Sequence, residues 1–204
     1  MKLLDLFSGG KCLEKPCRDL GIEYYSVDID SKLKPDMVAD IQESDLFNRI
    51  PFAPDIIWAS PPCESFSVSS IGKHWNKDNT PKTGQAAGAI ELVASTLRLI
   101  IELSPRYWFI ENPRGKLRKL AMMQGLTRHT VTYCQYGDRR MKPTDIWTNC
   151  TNWHPRPMCK NGDPCHVAAP RGSRTGTQSK MSYIEKSQIP YELLIEILTA
   201  CVVK

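Results

Sequence analysis

Three short segments of this 204-residue chain hold residues whose types and spacing could do chemistry. In Ser60-Pro61-Pro62-Cys63 a cysteine directly follows two prolines at the end of an apolar run, Asp55 to Ala59. Proline has no N–H to give a sheet, so the run must stop and turn there, which exposes the thiol. A cysteine so placed suits nucleophilic attack, because its thiolate is accessible near neutral pH. The competing use of Cys63, a buried structural thiol, accounts poorly for its position after two prolines. In Glu111-Asn112-Pro113 a carboxyl group follows another apolar run, Tyr107 to Ile110. A carboxyl partly withdrawn from water has a raised pKa and can hold or donate a proton. Alternatively, Glu111 caps a helix starting near Pro113. The third segment, Asp5-Leu6-Phe7-Ser8-Gly9-Gly10, is a glycine turn closing the first apolar run. Open α/β sheets bind nucleotide-like ligands at such strand ends. Asp28, at the end of the next run, is placed to accept hydrogen bonds from ribose hydroxyls, and Asp40 could similarly meet an adenine amino group.

These segments need rigid elements behind them. Lys2 to Phe7, Tyr24 to Val27, Asp36 to Val38, Asp55 to Ala59 and Tyr107 to Ile110 read as strands, with Thr130 to Cys134 and Asp145 to Thr148 as a closing pair. A helix is expected before Gly21. A longer one spans Gly84 to Ser104, where Ala86, Ile90, Val93, Leu97 and Ile100 or Ile101 recur at helical spacing. A last helix opens at Pro190 and carries Leu193, Leu194, Ile197, Leu198 and Cys201 on one face. Alternation of strand and helix implies a parallel-rich α/β sheet. Residues 64–83 are polar and of loop length, which suggests a mobile lid.

Taken together, the glycine turn with Asp28, the Pro61-Pro62-Cys63 turn and Glu111-Asn112-Pro113 resemble the DNA cytosine-5 methyltransferase family in order and strand-end placement. The resemblance covers residues 1 to about 149, and loosely the last helix. It implies a Rossmann-like, S-adenosylmethionine-dependent methyltransferase fold in which Cys63 attacks cytosine C6 and Glu111 contacts N3 and the exocyclic amine. It also implies that Phe7 stacks on the cofactor adenine, that Ser8 and Gly9 shape the methionine pocket, and that Asp28 and Ile29, Asp40 and Ile41, and Pro61 complete the cofactor site. Asp5 would bond either the glycine loop or the cofactor amine. Pro62 and Asn112 fall on the substrate side. Residues 64–83 correspond to the family's DNA-closing loop, with Ser65, Ser67 and Lys73 as candidate phosphate contacts, because the target base must be flipped out of the stack.

The chain departs from the family in three places. Lys11 and Cys12 stand where later glycines of the opening motif belong. Pro143, Thr144 and Asp145 stand where the family's spaced arginines contact the flipped base, so that Arg139, Arg140 or Lys142 would have to substitute. Only about thirty irregular residues occupy the place of a large target-recognition domain. The expected organisation is therefore a catalytic core (1–149), a short arm (150–186) and a C-terminal helix (187–204). Sequence specificity should be low, and the compactness suits a phage or mobile element.

The arm holds enough soft ligands for a tetrahedral zinc, although their spacing follows no standard finger. Cys159, Cys165 and His166 are the better part, with Cys150 or His154 to complete them, and Cys150, Cys159, Cys165 and His166 are the expected set. Arg171 and Arg174 follow in a compact, basic, flexible stretch suited to backbone contacts with DNA. The net charge of +5, from 27 basic against 22 acidic residues, fits a phosphate-bearing partner. No apolar run reaches membrane-spanning length and the start lacks a cleavable signal pattern, so an intracellular, cytoplasmic protein with reduced thiols is expected. The expected partner is double-stranded DNA, bound by a monomer, with a targeting protein as a further partner. Two alternatives stay open. Ser60-Pro61-Pro62 also fits exocyclic-amine methyltransferases, although these follow the prolines with an aromatic residue. The missing arginines also fit an inactive, methyltransferase-like DNA-binding protein.

Overall fold

The computed structural model describes residues 1–168, 172, 177 and 181–203, and Arg171 and Arg174 lie outside them. Seven strands form one sheet in the order β3-β2-β1-β4-β5-β7-β6. They are β1 (Lys2–Leu6), β2 (Glu23–Asp28), β3 (Met37–Val38), β4 (Ile56–Ala59), β5 (Tyr107–Pro113), β6 (Arg128–Thr132) and β7 (Pro143–Thr148). The first five run parallel, whereas β7 enters antiparallel between β5 and β6.

Burial on both faces explains the apolar runs of the central strands. On one face Leu3, Trp58, Phe109 and Ile146 share a core with Leu193, Leu194, Ile197 and Leu198 of α6 (Tyr191–Val202), which also packs on α1 (Glu14–Asp19). Trp58 and Phe109 stack there with centroids 5.5 Å apart. On the other face Leu4, Leu6, Ile57, Ala59, Ile110 and Trp147 meet Ala86, Ala89, Val93 and Ile100 of α4 (Gly84–Leu103). Successive residues thus feed opposite layers, as a pleated strand requires. The Thr83 hydroxyl caps α4 by accepting from the Ala86 N–H.

The register sets the site. Leu6 pairs with both Val27 and Ala59, and Ala59 with Ile110, so the residues that follow come side by side at one end of the parallel strands. These are Phe7, Asp28, Ser60 and Glu111. Strand β5 runs on through Glu111, Asn112 and Pro113 because β7 pairs with all three. Glu111 is therefore a strand residue and caps no helix.

Residues 64–83 differ from the expected open polar loop. Phe66 and Trp75 are buried in the α4-side core with ring centroids 5.9 Å apart, and a short helix, α3 (Ile71–His74), lies between them. The Trp75 indole donates to the Ser65 carbonyl at 2.7 Å, and Lys116 donates to the Asn79 side chain at 2.6 Å. The close approach is made at Gly115. A Cβ there would fall well inside van der Waals contact with the Phe66 carbonyl oxygen, which instead accepts from the Lys116 N–H at 2.7 Å. Composition made this segment look like a free lid, but two aromatic anchors dock it.

Candidate active site

The glycine turn is held open by left-handed backbone at Phe7 (φ +61°) and Gly9 (φ +49°). Lys11 also takes a left-handed conformation (φ +52°), the geometry a glycine usually supplies. Asp28 fastens this turn from the neighbouring strand, accepting from the Gly9 N–H at 2.8 Å and, through its other oxygen, from the Asp30 N–H at 2.9 Å. Each carboxylate oxygen keeps a further lone pair for a ligand hydroxyl. Beside it Ile29 is 68% exposed, an apolar face with no protein cover, and the buried Ser8 hydroxyl has no partner among the described residues. Hydroxyl acceptor, apolar face and orphaned hydroxyl together fit an adenosyl ligand.

Two expected cofactor residues are placed differently. The Ile41 side chain is buried in the core with Leu46 and Ala39, so it is packing rather than lining. Asp5 lies behind the turn, where its carboxyl accepts from the Tyr24 hydroxyl at 2.8 Å and burial pushes its pKa up to about 7. Asp40 is half-buried and accepts from the Gln42 N–H at 2.9 Å.

At the end of β4, Pro61 is buried and its carbonyl accepts from the Asn112 amide at 2.9 Å, which staples this turn to β5. Pro62 and Cys63 follow, half-buried. The Cys63 carbonyl accepts from the Phe66 and Ser67 N–H groups at 3.0 and 2.9 Å, which fixes the cysteine at the head of the docked segment. Burial, then the negative charges of Glu111 and Glu64, push the Cys63 thiol up to about 11, while the Lys142 ammonium pulls the other way.

Glu111 is 6% exposed and accepts from the Tyr133 hydroxyl at 2.8 Å. Burial raises its pKa against the pull of Lys142, Tyr133 and Ser60. Lys142 is the cation of the site. Its ammonium sits 4.7 Å from the Tyr133 ring centroid, donates to the Lys186 carbonyl at 2.9 Å, and is depressed by burial while Glu111 and Cys63 support its charge. Cys12, pushed up to about 12 by burial, feels the charges of both Asp5 and Glu111.

The site has a roof. A Cβ on Gly10 would lie 2.8 Å from the Gln188 amide nitrogen and 3.0 Å from Ile184, so α5 (Tyr183–Ser187) and the residue after it cover the glycine turn. Tyr183 feels the charges of Glu64, Cys63 and Asp28.

Several expected substrate and metal residues are corrected. Arg140 is buried and fully engaged by the Asp138 carboxylate and the carbonyls of Glu185, Lys186 and Gln188, which leaves no donor for a base. Arg139 is exposed. Ser65 is 2% exposed, so its hydroxyl is withdrawn from any phosphate, whereas Ser67 is half-buried and Lys73 exposed. Asp145 is buried against Arg118 and the Thr130 hydroxyl and serves the sheet. Cys150 is buried in the α6-side core, where its thiol meets Cys201, and Cys134 stands in its place beside Cys159, Cys165 and His166. Sequence reasoning had Lys142 only as one of three substitutes and missed Tyr133, Cys12 and Tyr183. A usable signal was present for Tyr133, which directly follows β6, with β7 between it and Glu111 in the sheet.

A family model described as C-5 cytosine-specific DNA methylase matches residues 1–120. A Frog virus 3 (isolate Goorha) protein named probable DNA (cytosine-5)-methyltransferase is 27% identical, over 98% of this chain and 100% of that one. Among solved structures, the Entamoeba histolytica methyltransferase EhMeth is similar at a TM-score of 0.54 and 14% identity, covering 72% of this chain and 52% of that one. Spodoptera frugiperda DNMT2 is similar at 0.50 and 16%, covering 80% and 57%. The chain thus spans about half the length of these two structures, and what it shares with them is the fold. The order 3-2-1-4-5-7-6 with a reversed β7, the paired strand ends carrying Cys63 and Glu111, and a match to more than half of the chain converge on one assignment. This chain belongs to the C-5 cytosine-specific DNA methylase family.

Proposed function

We propose that this chain transfers a methyl group from S-adenosylmethionine to C5 of cytosine in double-stranded DNA, through a covalent Cys63 adduct on a flipped base. The observation that carries the proposal is the convergence of Cys63, Glu111 and Lys142 on adjacent strand ends, next to the turn that Asp28 fastens. When bound, the cofactor supplies an electrophilic methyl on a sulfonium. Asp28 would accept from its ribose, Ile29 and Phe7 would cover its adenine, and Ser8 would give its orphaned hydroxyl to the ligand.

On the substrate side, the Cys63 thiolate forms a bond to C6 while Glu111, whose pKa burial raises, hydrogen-bonds N3 and balances the charge that develops on the ring. C5 then accepts the methyl. Loss of the C5 proton and departure of the Cys63 sulfur restore the 5,6 double bond. The raised thiol must first lose its proton, and Lys142 is the group placed to favour that loss. Lys142 thus supplies a cation to the site beside the positions where the family's arginines belong, while Tyr133 and Asn112 position the carboxyl and the Pro61 turn. Arg139 and Lys73 are free to meet phosphates, which give affinity without sequence information. Nothing in the described arm has the size of a recognition domain, which supports relaxed specificity in a monomer, or targeting by a partner protein.

The test is transfer of labelled methyl to DNA, with Cys63→Ala in parallel and the product nucleosides separated. The expected result is 5-methylcytosine from the native chain and none from the variant. Label on an exocyclic amine, or DNA binding without transfer, would overturn the proposal.

A further inference from the structure

One cluster of nucleophilic side chains lies outside this site. Cys134, in the 3-10 turn Tyr133–Tyr136 after β6, meets Cys159, Cys165 and His166 of the arm, and their donor atoms all lie within 4.8 Å of one another. The Cys134 and Cys159 sulfurs are 3.1 Å apart and those of Cys134 and Cys165 3.5 Å. The His166 Nδ1 is 3.7 Å from the Cys159 sulfur and 3.6 Å from that of Cys165. A tetrahedral zinc with ordinary bond lengths needs sulfur–sulfur edges of about 3.8 Å and sulfur–nitrogen edges slightly shorter. Three of these four distances lie within a few tenths of an ångström of those figures, and the Cys134–Cys159 pair is closer than a bound metal would hold it.

The part of the arm that carries these ligands has little apolar core of its own. Between Arg156 and Ala168 the only large apolar side chains are Met158 and Val167, and both are exposed. Yet Cys159 is buried, and its N–H donates to the Thr132 hydroxyl at 3.0 Å. A segment with so little core is held in other small units by a metal. The Gln135 amide, 3.5 Å from the Cys165 sulfur, is placed as an outer hydrogen-bond donor of the kind that orients such ligands.

We propose that Cys134, Cys159, Cys165 and His166 form a closed Zn2+ site that clamps the arm onto the turn carrying Tyr133. Binding exchanges three thiol protons for the metal and leaves no open position, so the site is structural. Its neighbour in sequence, Tyr133, donates to Glu111. The clamp thus ties the arm to the residue that positions the carboxyl, and it stands whether or not the methyl-transfer reading does.

The test is metal analysis of reduced protein purified without chelator, with Cys159→Ser and Cys165→Ser measured beside Cys150→Ser. The expected result is one zinc per chain in the native protein and in Cys150→Ser, and at least about tenfold less in the other two. If those two variants misfold, cobalt titration of chelator-treated native protein decides, because sulfur-rich tetrahedral cobalt absorbs strongly in the red. Limited proteolysis should then cut near Lys160 only after chelation. Sub-stoichiometric zinc with no cobalt band, or unchanged zinc in both variants, would overturn the proposal.

Discussion

At the scale of single residues, the site is a problem of three charges in a dry place. The Glu111 charge raises the cost of ionising Cys63, and Lys142 is the one cation that acts on both. Removing its charge should therefore push the Cys63 thiol higher still. Lys142→Met is expected to slow iodoacetamide alkylation of Cys63 at neutral pH by about threefold to tenfold, while Lys142→Arg restores most of the rate. Peptide mapping of the alkylated chain checks this, and equal rates in all three proteins would remove Lys142 from the mechanism. Cys63, Glu111 and Asp28 were legible in the sequence because each lies at or just past the end of an apolar run, where the patterning gives way abruptly. Lys142 could not be singled out from Arg139 and Arg140. Alternation along four residues of turn says nothing about which cation faces inward, and only the fold shows Arg140 engaged by Asp138 and Lys142 set over the Tyr133 ring, where it feels the Glu111 charge.

At the scale of elements, the docked segment after Cys63 owes its position to one close backbone contact. Gly115→Ala would drive its methyl into the Phe66 carbonyl and push the segment off β5. A loss of about 1–3 kcal/mol in stability is expected, as for other overpacked sites, with Cys63 alkylated faster as the segment lifts. Chemical denaturation and the same alkylation assay check the two effects, and an unperturbed variant would show that the contact relaxes cheaply. The sequence reading of 64–83 as a free lid failed for a definite reason. Serine, lysine and asparagine dominate the count, but Phe66 and Trp75 decide the packing, since two buried aromatic rings outweigh many solvated side chains. The arm was misread in a related way. Cys134 looked like strand filling and Cys150 like a loop ligand, and the reversed β7, which no short strand announces, brings the end of β6 rather than the end of β7 to the arm.

For the whole molecule, alternating strands and helices made the parallel sheet legible, whereas the insertion of β7 between β5 and β6 required pairing partners far apart in sequence. One global consequence is the pH dependence of stability. Asp5 has a pKa of about 7 in the folded chain against 3.8 when solvated, because burial penalises its charge. The folded state therefore binds more protons than the unfolded state between these values. Stability should be greatest near pH 4 on this account and fall as pH rises to about 7, by at most on the order of 4 kcal/mol. Thermal melts of Asp5→Asn against the native chain should diverge across that window, with the variant the more stable above pH 7. Parallel melts would show that the charge is relieved by other means. The roof over the glycine turn has a different consequence. Arg140 and Lys142 grip it through the carbonyl oxygens of Glu185, Lys186 and Gln188, groups that every residue type carries alike. Its seat is thus blind to the identity of its side chains. Tyr183 and Ile184, which face the two halves of the site, are free to drift, and a lineage of such chains can re-tailor the mouth of its pocket without renegotiating the fold.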